Sequence, residues 1–239
     1  KIAVVTGSGS GLGKSIAMRF ANEGATAIIV DVNEQNMATA VAEIEARGGK
    51  AQGYRVDVTD QRALRDFMEE LVGTRGRIDI LVNNAGITRY RAFGAVGPED
   101  WDAVLGLDLK AVFFCAQAAS THMVRQQYGK IVNISSSLGT GTTPHVGSLS
   151  AGAAAPYASA KAAVIQLTQI LARELGPSGI NVNCVLPTTI DTPQNRAAMP
   201  DADPGRWVAP RDLAAVIVFL ASDEARALHG AAVPVRGLA

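Results

Sequence analysis

The sequence predicts an α/β fold, a single doubly wound domain around a seven-stranded parallel sheet, on three observations. Short β-branched runs alternate with longer segments of helical period, the signature of strand-helix-strand units whose sheet is covered on both faces. Hydrophobic residues make up 48% of the 239 and charged residues only 18%, against roughly 25% charged in ordinary soluble domains, so much of the chain belongs in a core or in subunit contacts. The pattern runs on with no repeat, linker or compositional break, apart from one stretch from Leu138 to Ala155.

The strands read at Ile2 to Val5, Ala27 to Val30, Ala51 to Val56, Ile78 to Val82, Lys130 to Ile134, Ile180 to Leu186 and Ala232 to Val235. Lys14 to Phe20 follows the first strand as an amphipathic helix. Met37, Ala40, Val41 and Ile44 recur at helical spacing until Arg47-Gly48-Gly49 ends the run, and Leu64, Phe67, Met68 and Leu71 repeat the pattern. A later helix carries Ala111, Val112, Phe113, Cys115, Ala116 and Ala119. Another, opened by Pro156, carries Val164, Leu167, Ile170 and Leu171.

Composition removes several classes of function. The 22 Lys and Arg balance the 22 Asp and Glu, so no long-range field favours nucleic acid or an anionic membrane. Cys115 and Cys184 both lie in apolar runs, which predicts buried free thiols. With no CxxC pair, and with His122, His145 and His229 scattered, no metal site is expected. The first residues already read as strand, and no 18 apolar residues follow one another uninterrupted, so a soluble cytoplasmic protein without a signal peptide is expected.

Thr6-Gly7-Ser8-Gly9-Ser10-Gly11-Leu12-Gly13 follows the first strand directly and opens the first helix. In that context glycines allow a tight turn, close approach of backbone to a pyrophosphate and close packing of helix on sheet, while the helix N-terminus offers free N–H groups. This strand-loop-helix placement predicts a Rossmann-type nucleotide site. Eighteen residues beyond Gly13, the second strand ends in Asp31, whose carboxylate suits ribose hydroxyls. A 2′-phosphate would face it at a repulsion of about 4 kcal/mol at about 4 Å and an effective dielectric near 20, roughly a thousandfold in affinity. No arginine stands in the loop or directly after Asp31, so NAD is expected over NADP.

Tyr157 and Lys161 are four residues apart at the start of a helix, hence on one face. A phenol of ordinary pKa near 10 is a poor base at neutral pH. Making it one requires about 3 to 4 kcal/mol of phenolate stabilisation, which an adjacent ammonium partly supplies.

Taken together these motifs resemble those of the short-chain dehydrogenase/reductase family, from the first strand nearly to the end of the chain. Thr6 to Gly13 is similar to its TGxxxGxG loop, Asn83-Asn84-Ala85-Gly86 to its NNAG, and Tyr157 to Lys161 to its YxxxK. The resemblance implies that Gly7, Ser10, Gly11, Leu12, Gly13 and Asp31 bind NAD together with Asn84, Ala85 and Gly86. It implies that Asp57 and Val58 contact adenine, and that Pro187, Ile190 and Thr192 meet the nicotinamide carboxamide and pyrophosphate. It implies a secondary alcohol or its ketone as the small-molecule substrate, with Tyr157 exchanging a proton with the substrate oxygen. Ser136, at the end of the fifth strand, would hydrogen-bond that oxygen, and Lys161 would bind the ribose and depress the tyrosine pKa. A homotetramer or homodimer through the helices of Phe113 and Ile170 is also implied.

Four positions depart from the family pattern. Asp108 stands where the family has its catalytic asparagine, beside the expected water path to Lys161, and twenty-one residues rather than about a dozen separate Ser136 from Tyr157. Pro187-Thr188 replaces Pro-Gly, and the last strand lacks the usual acidic, glycine-rich ending. The lid between Pro187 and Pro210 is short, and the stretch from Leu138 to Ala155 is expected to be a substrate-facing loop partly replacing it. Two alternatives stand beside the dehydrogenase: a catalytically weak NAD-binding regulator or scaffold, and an epimerase or dehydratase using the same site.

Overall fold

The computed structural model describes residues 1–141 and 154–237. Most of the stretch from Leu138 to Ala155, His145 included, lies outside the described residues. Seven parallel strands run β1 Ile2–Thr6, β2 Thr26–Asp31, β3 Lys50–Arg55, β4 Ile80–Asn83, β5 Gly129–Ile134, β6 Ile180–Pro187 and β7 Ala232–Val235. Their order across the sheet is β3-β2-β1-β4-β5-β6-β7, so the direction of progression reverses between β1 and β4. At such a switch point the two following loops part and leave a crevice at the carboxyl edge.

Eight α-helices cover the sheet among the described residues: α1 Gly11–Asn22, α2 Glu34–Glu45, α3 Gln61–Arg75, α4 Pro98–Leu105, α5 Val112–Gln126, α6 Ala155–Leu175, α7 Pro193–Ala198 and α8 Pro210–Leu220. Strand residues alternate between two cores, as the two-residue period requires. Val5, Ile29, Val82 and Val132 pack with α1 and α8. Val4, Ile28, Leu81, Ile131 and Val182 pack with α3, α5 and α6 on the other face. Caps set where helices begin: Asn33 accepts from Asn36 N–H, and Asp60 from the N–H groups of Arg62 and Ala63. Pro234 sits on the edge strand β7, where the missing N–H leaves no gap in a ladder.

Two local features differ from the expected pattern. The fourth strand begins at Ile80 rather than Ile78, because the Ile78 N–H is taken by the Gln126 side chain at 3.0 Å instead of by a neighbouring strand. Between α4 and α5 the helix continues as a π-helical segment, Gly106–Ala111. The continuous run Pro98–Gln126 is thus long and apolar enough, by length and composition, to cross a membrane. In the fold its α5 part covers the sheet, with Cys115, Ala116, Ala119 and Met123 buried. Both cysteines are buried and free; burial pushes the Cys115 thiol up to about 12 and that of Cys184 to about 11, which keeps them as unreactive thiols.

Candidate active site

The loop after β1 and the loop after β4 are tied into one unit by side chains. The N–H groups of Asn84 and Ala85 both donate to Thr6 Oγ1 at 3.0 Å, and Asn84 Nδ2 donates to the carbonyls of Thr6 and Gly7. Two glycines are required by this close approach. Gly7 has φ +62°, and a Cβ there would lie 2.9 Å from Ala85 Cα; one on Gly13 would lie 2.2 Å from the Gly7 oxygen. Ser8, fully buried, joins the ends of β1 and β2 through Val5 and Val30.

A phosphate-bearing ligand fits this cradle on two observations. Ser10 caps α1 with no side-chain hydrogen bond, so no side chain of its own occupies the first-turn donors. Gly11, at φ +54°, has open space around its Cβ position. Asp31 lies alongside: its Oδ2 accepts the Gly9 N–H at 2.8 Å and its Oδ1 accepts the Asn33 N–H at 2.9 Å. Asp57, exposed, closes the turn after β3 by accepting from Thr59, while Val58 is buried. Pro187 ends β6, Ile190 bridges to Val208, and Thr192 caps α7 by accepting the Asn195 N–H.

Beyond the end of β5, two adjacent serines have different roles. Ser135 Oγ donates to the Lys161 carbonyl at 2.7 Å and so anchors α6. Ser136 accepts the Leu138 N–H at 3.2 Å and acts on the Tyr157 phenol, whose pKa it lowers. The turn Ser137–Thr140 fits against α6 only through Gly139, where a Cβ would lie 2.8 Å from the Ala162 nitrogen. Below, Asn83, Asn133 and Thr168 form a buried hydrogen-bonded chain joining β4, β5 and α6. Thr6, Ser8, Ser135 and Gly139 were not singled out by sequence reasoning, since each acts on an element distant along the chain.

Lys161 is 3% exposed and Asp108 not at all. The ammonium donates to the Ile134 carbonyl at 2.9 Å and lies 2.9 Å from Asp108 Oδ1, an ion pair out of line for a hydrogen bond. Asp108 Oδ2 accepts the Ile87 N–H at 2.9 Å. The carboxylate therefore meets Lys161 directly. The π-helical segment carries it there, as such segments often do at functional positions. Burial pushes the Asp108 carboxyl up, while Lys161 and the Ile87 N–H pull it down, and the net direction is up.

Lys161 Nζ sits 5.3 Å from the centre of the Tyr157 ring. Burial pushes the phenol pKa up and the Asp108 charge adds to it, while the Lys161 charge and Ser136 pull it down, so Tyr157 lies above its ordinary value. Lys161 thus acts on the phenol in the expected direction, and burial is what sets the net direction. Among the described residues, no three His, Cys, Asp or Glu cluster as a metal site would need.

A family model described as short chain dehydrogenase matches residues 1–203. The chain is 38% identical over 245 residues to the 3-oxoacyl-[acyl-carrier-protein] reductase FabG of Thermotoga maritima, covering 99% of this chain and 96% of that protein. Among solved structures, a protein described as an NAD(P)-dependent gluconate 5-dehydrogenase from Beutenbergia cavernae, with bound NADP at low occupancy, superposes at TM-score 0.90 with 34% identity over 99% of this chain and 95% of that one. An NAD+-bound xylitol dehydrogenase superposes at 0.89 with 27% identity, covering 99% and 98%.

Proposed function

The chain belongs to the short-chain dehydrogenase family, and from that premise we propose that it is an NAD-dependent oxidoreductase interconverting a secondary alcohol and its ketone, with Tyr157 as general acid-base. The observation that carries this reading is the convergence of Ser136, Tyr157 and Lys161 beside the glycine-rich cradle. When bound, the nicotinamide accepts or returns the hydride. Gly7, Ser10, Gly11, Leu12 and Gly13 would hold the pyrophosphate, Asp31 the adenosine ribose, and Asp57 with Val58 the adenine. Asn84, Ala85 and Gly86 would line the ribose end, with Pro187, Ile190 and Thr192 around the carboxamide.

In oxidation the Tyr157 phenolate takes the proton of the substrate hydroxyl, and Ser136 donates a hydrogen bond to the same oxygen. An ammonium has three N–H groups; with one on Ile134 and its charge balanced by Asp108, Lys161 keeps donors for ribose hydroxyls. A soluble cytoplasmic enzyme, assembled as a homotetramer or homodimer, is part of the same proposal. The apolar side chains Phe113 on α5 and Ile170 on α6, 40% and 48% exposed, support such an assembly.

Two measurements test separate parts of this reading. With NAD and NADP compared on one substrate, the catalytic efficiency is expected to favour NAD strongly. Asp31→Ser combined with Val32→Arg is expected to shrink the ratio about a hundredfold by removing a charge repulsion and adding an attraction. Equal efficiency with both cofactors in the unaltered protein would overturn the role of Asp31.

Asp108→Asn is expected to lower the pH of half-maximal oxidation. The Asp108 charge raises the Tyr157 pKa, so removing it lets the phenolate form at lower pH. A unit charge several ångströms away is worth about 2 kcal/mol at an effective dielectric near 20, or roughly one pH unit and more. An unchanged pH profile would show that this charge does not reach the reacting phenol.

A further inference from the structure

The chain that leaves β6 stands beside the reacting groups and is built as a flap. Ile134 pairs with Val185 in parallel register, and the Ser135 N–H continues the ladder onto the Val185 carbonyl at 2.9 Å. Ser136 is still extended, so Pro187 leaves the sheet one strand spacing, about 5 Å, from it. The base of the flap is zipped: the Val208 N–H donates to the Thr189 carbonyl at 2.8 Å, and the Asp191 N–H to the Val208 carbonyl at 2.9 Å. The chain between carries α7, six residues with no buried side chain. A helix that short has too few hydrogen bonds to offset its nucleation, and no core holds it.

Three side chains supply what the core does not. Thr192 Oγ1 accepts the Asn195 N–H at 3.2 Å, and Asn195 Nδ2 donates to the Ile190 carbonyl at 2.8 Å. Arg196 meets Asp191 fork to fork, Nε to Oδ1 at 2.5 Å and Nη2 to Oδ2 at 2.8 Å. These bonds hold the Asp191 carboxyl below its ordinary value, so the pair is ionised at neutral pH. Two parallel bonds between planar groups fix orientation as well as distance. Asp191 lies between Ile190 and Thr192, the two residues assigned to the carboxamide, so the pair fastens α7 to the turn proposed to meet the nicotinamide end.

We propose that Arg196 is a positioning residue for the cofactor: through its paired bonds to Asp191 it keeps α7 and the Ile190–Thr192 turn formed before NAD arrives, so the nicotinamide end meets a ready-made wall. A wall ordered beforehand has already lost the conformational freedom that binding would otherwise have to remove. The pair thus sets how tightly and how long the dinucleotide is held, and leaves the proton exchange at Tyr157 unchanged. The assignment rests on the oxidoreductase reading above.

The test begins with the flap itself, without turnover. In the free protein, amide hydrogen exchange over residues 194–198 is expected to be about 2- to 5-fold faster in Arg196→Gln and in Asp191→Asn, the worth of a bidentate pair at a surface. The difference is expected to fade as salt rises toward about 1 M. NADH dissociation, followed by fluorescence during displacement with excess NAD, is expected to quicken by a similar factor, with KM for NAD raised and kcat not lowered. The exchanged pair, Asp191→Arg with Arg196→Asp, is expected to return both rates to within about twofold of the unaltered protein. Unchanged rates in both single variants would overturn the role of Arg196. So would an exchanged pair no better than the worse single variant, which would mean that each charge meets the dinucleotide separately. Absence of NADH and NADPH binding by the unaltered protein would overturn the oxidoreductase reading and this assignment with it, so the two failures are told apart before any substitution is made.

Discussion

Tyr157→Phe is expected to reduce turnover by about a hundred- to ten-thousandfold, the usual contribution of a positioned general acid-base. The ring and its packing on α6 remain, so NADH binding, read by fluorescence titration, is expected to stay within a few-fold of the unaltered protein. Ser136 cannot take over, because a hydroxyl that donates to the substrate oxygen does not also accept its proton at neutral pH. Retention of more than a tenth of the activity on a well-used substrate would show that another group moves the proton.

Lys161→Ala is expected to damage stability as well as turnover and cofactor binding. Asp108 has no exposure, and its countercharge is Lys161 at 2.9 Å. Removing one partner of a buried pair costs about 3 to 5 kcal/mol, because the other is left charged in a dry site. The sign of the pH dependence follows from the Asp108 carboxyl, which burial already holds above its ordinary value. An acid whose folded pKa is raised binds a proton on folding, so the penalty is full above that pKa and fades as pH falls toward the unfolded value. Denaturant midpoints of the variant are therefore expected to approach those of the unaltered protein at about pH 5 and to fall furthest behind at about pH 8. Adding Asp108→Asn is expected to recover most of the lost stability and none of the activity. A midpoint difference independent of pH would mean that the lost contacts of the lysine chain, rather than an unpaired carboxylate, dominate.

The sheet was legible because its strands carry short apolar runs in their own residues, most plainly where both faces are buried, as in β1 and β4. All seven strands lie where their apolar runs put them, and errors fall at ends such as Ile78, where a distant Gln126 side chain takes the backbone donor. The doubly wound order follows from strand-helix alternation and right-handed crossovers, both of which are local rules. The site was legible as residue types at fixed spacing: the glycines before α1, and Tyr157 with Lys161 one turn apart.

What the sequence did not disclose depends on contacts across the sheet. The Asp108–Lys161 pair needs a π-helical segment, and nothing in Gly106-Leu107-Asp108-Leu109-Lys110-Ala111 separates it from an ordinary α-helix. The division of labour between Ser135 and Ser136 depends on where α6 docks. Spacing reveals the lysine that pulls the Tyr157 pKa down, but only packing reveals the burial that raises it further than the lysine lowers it.

The central claim is net hydride transfer between a secondary alcohol and NAD at Tyr157, and its most direct test is stoichiometry. A panel of secondary alcohols is incubated with the unaltered protein and NAD at mildly alkaline pH, with NADH followed by absorbance and the organic product by chromatography. One NADH is expected for each ketone formed. Product without net NADH would point to epimerisation or dehydration at the same residues, and tight NAD binding with no product from any alcohol would point to a regulator; either result would contradict the account.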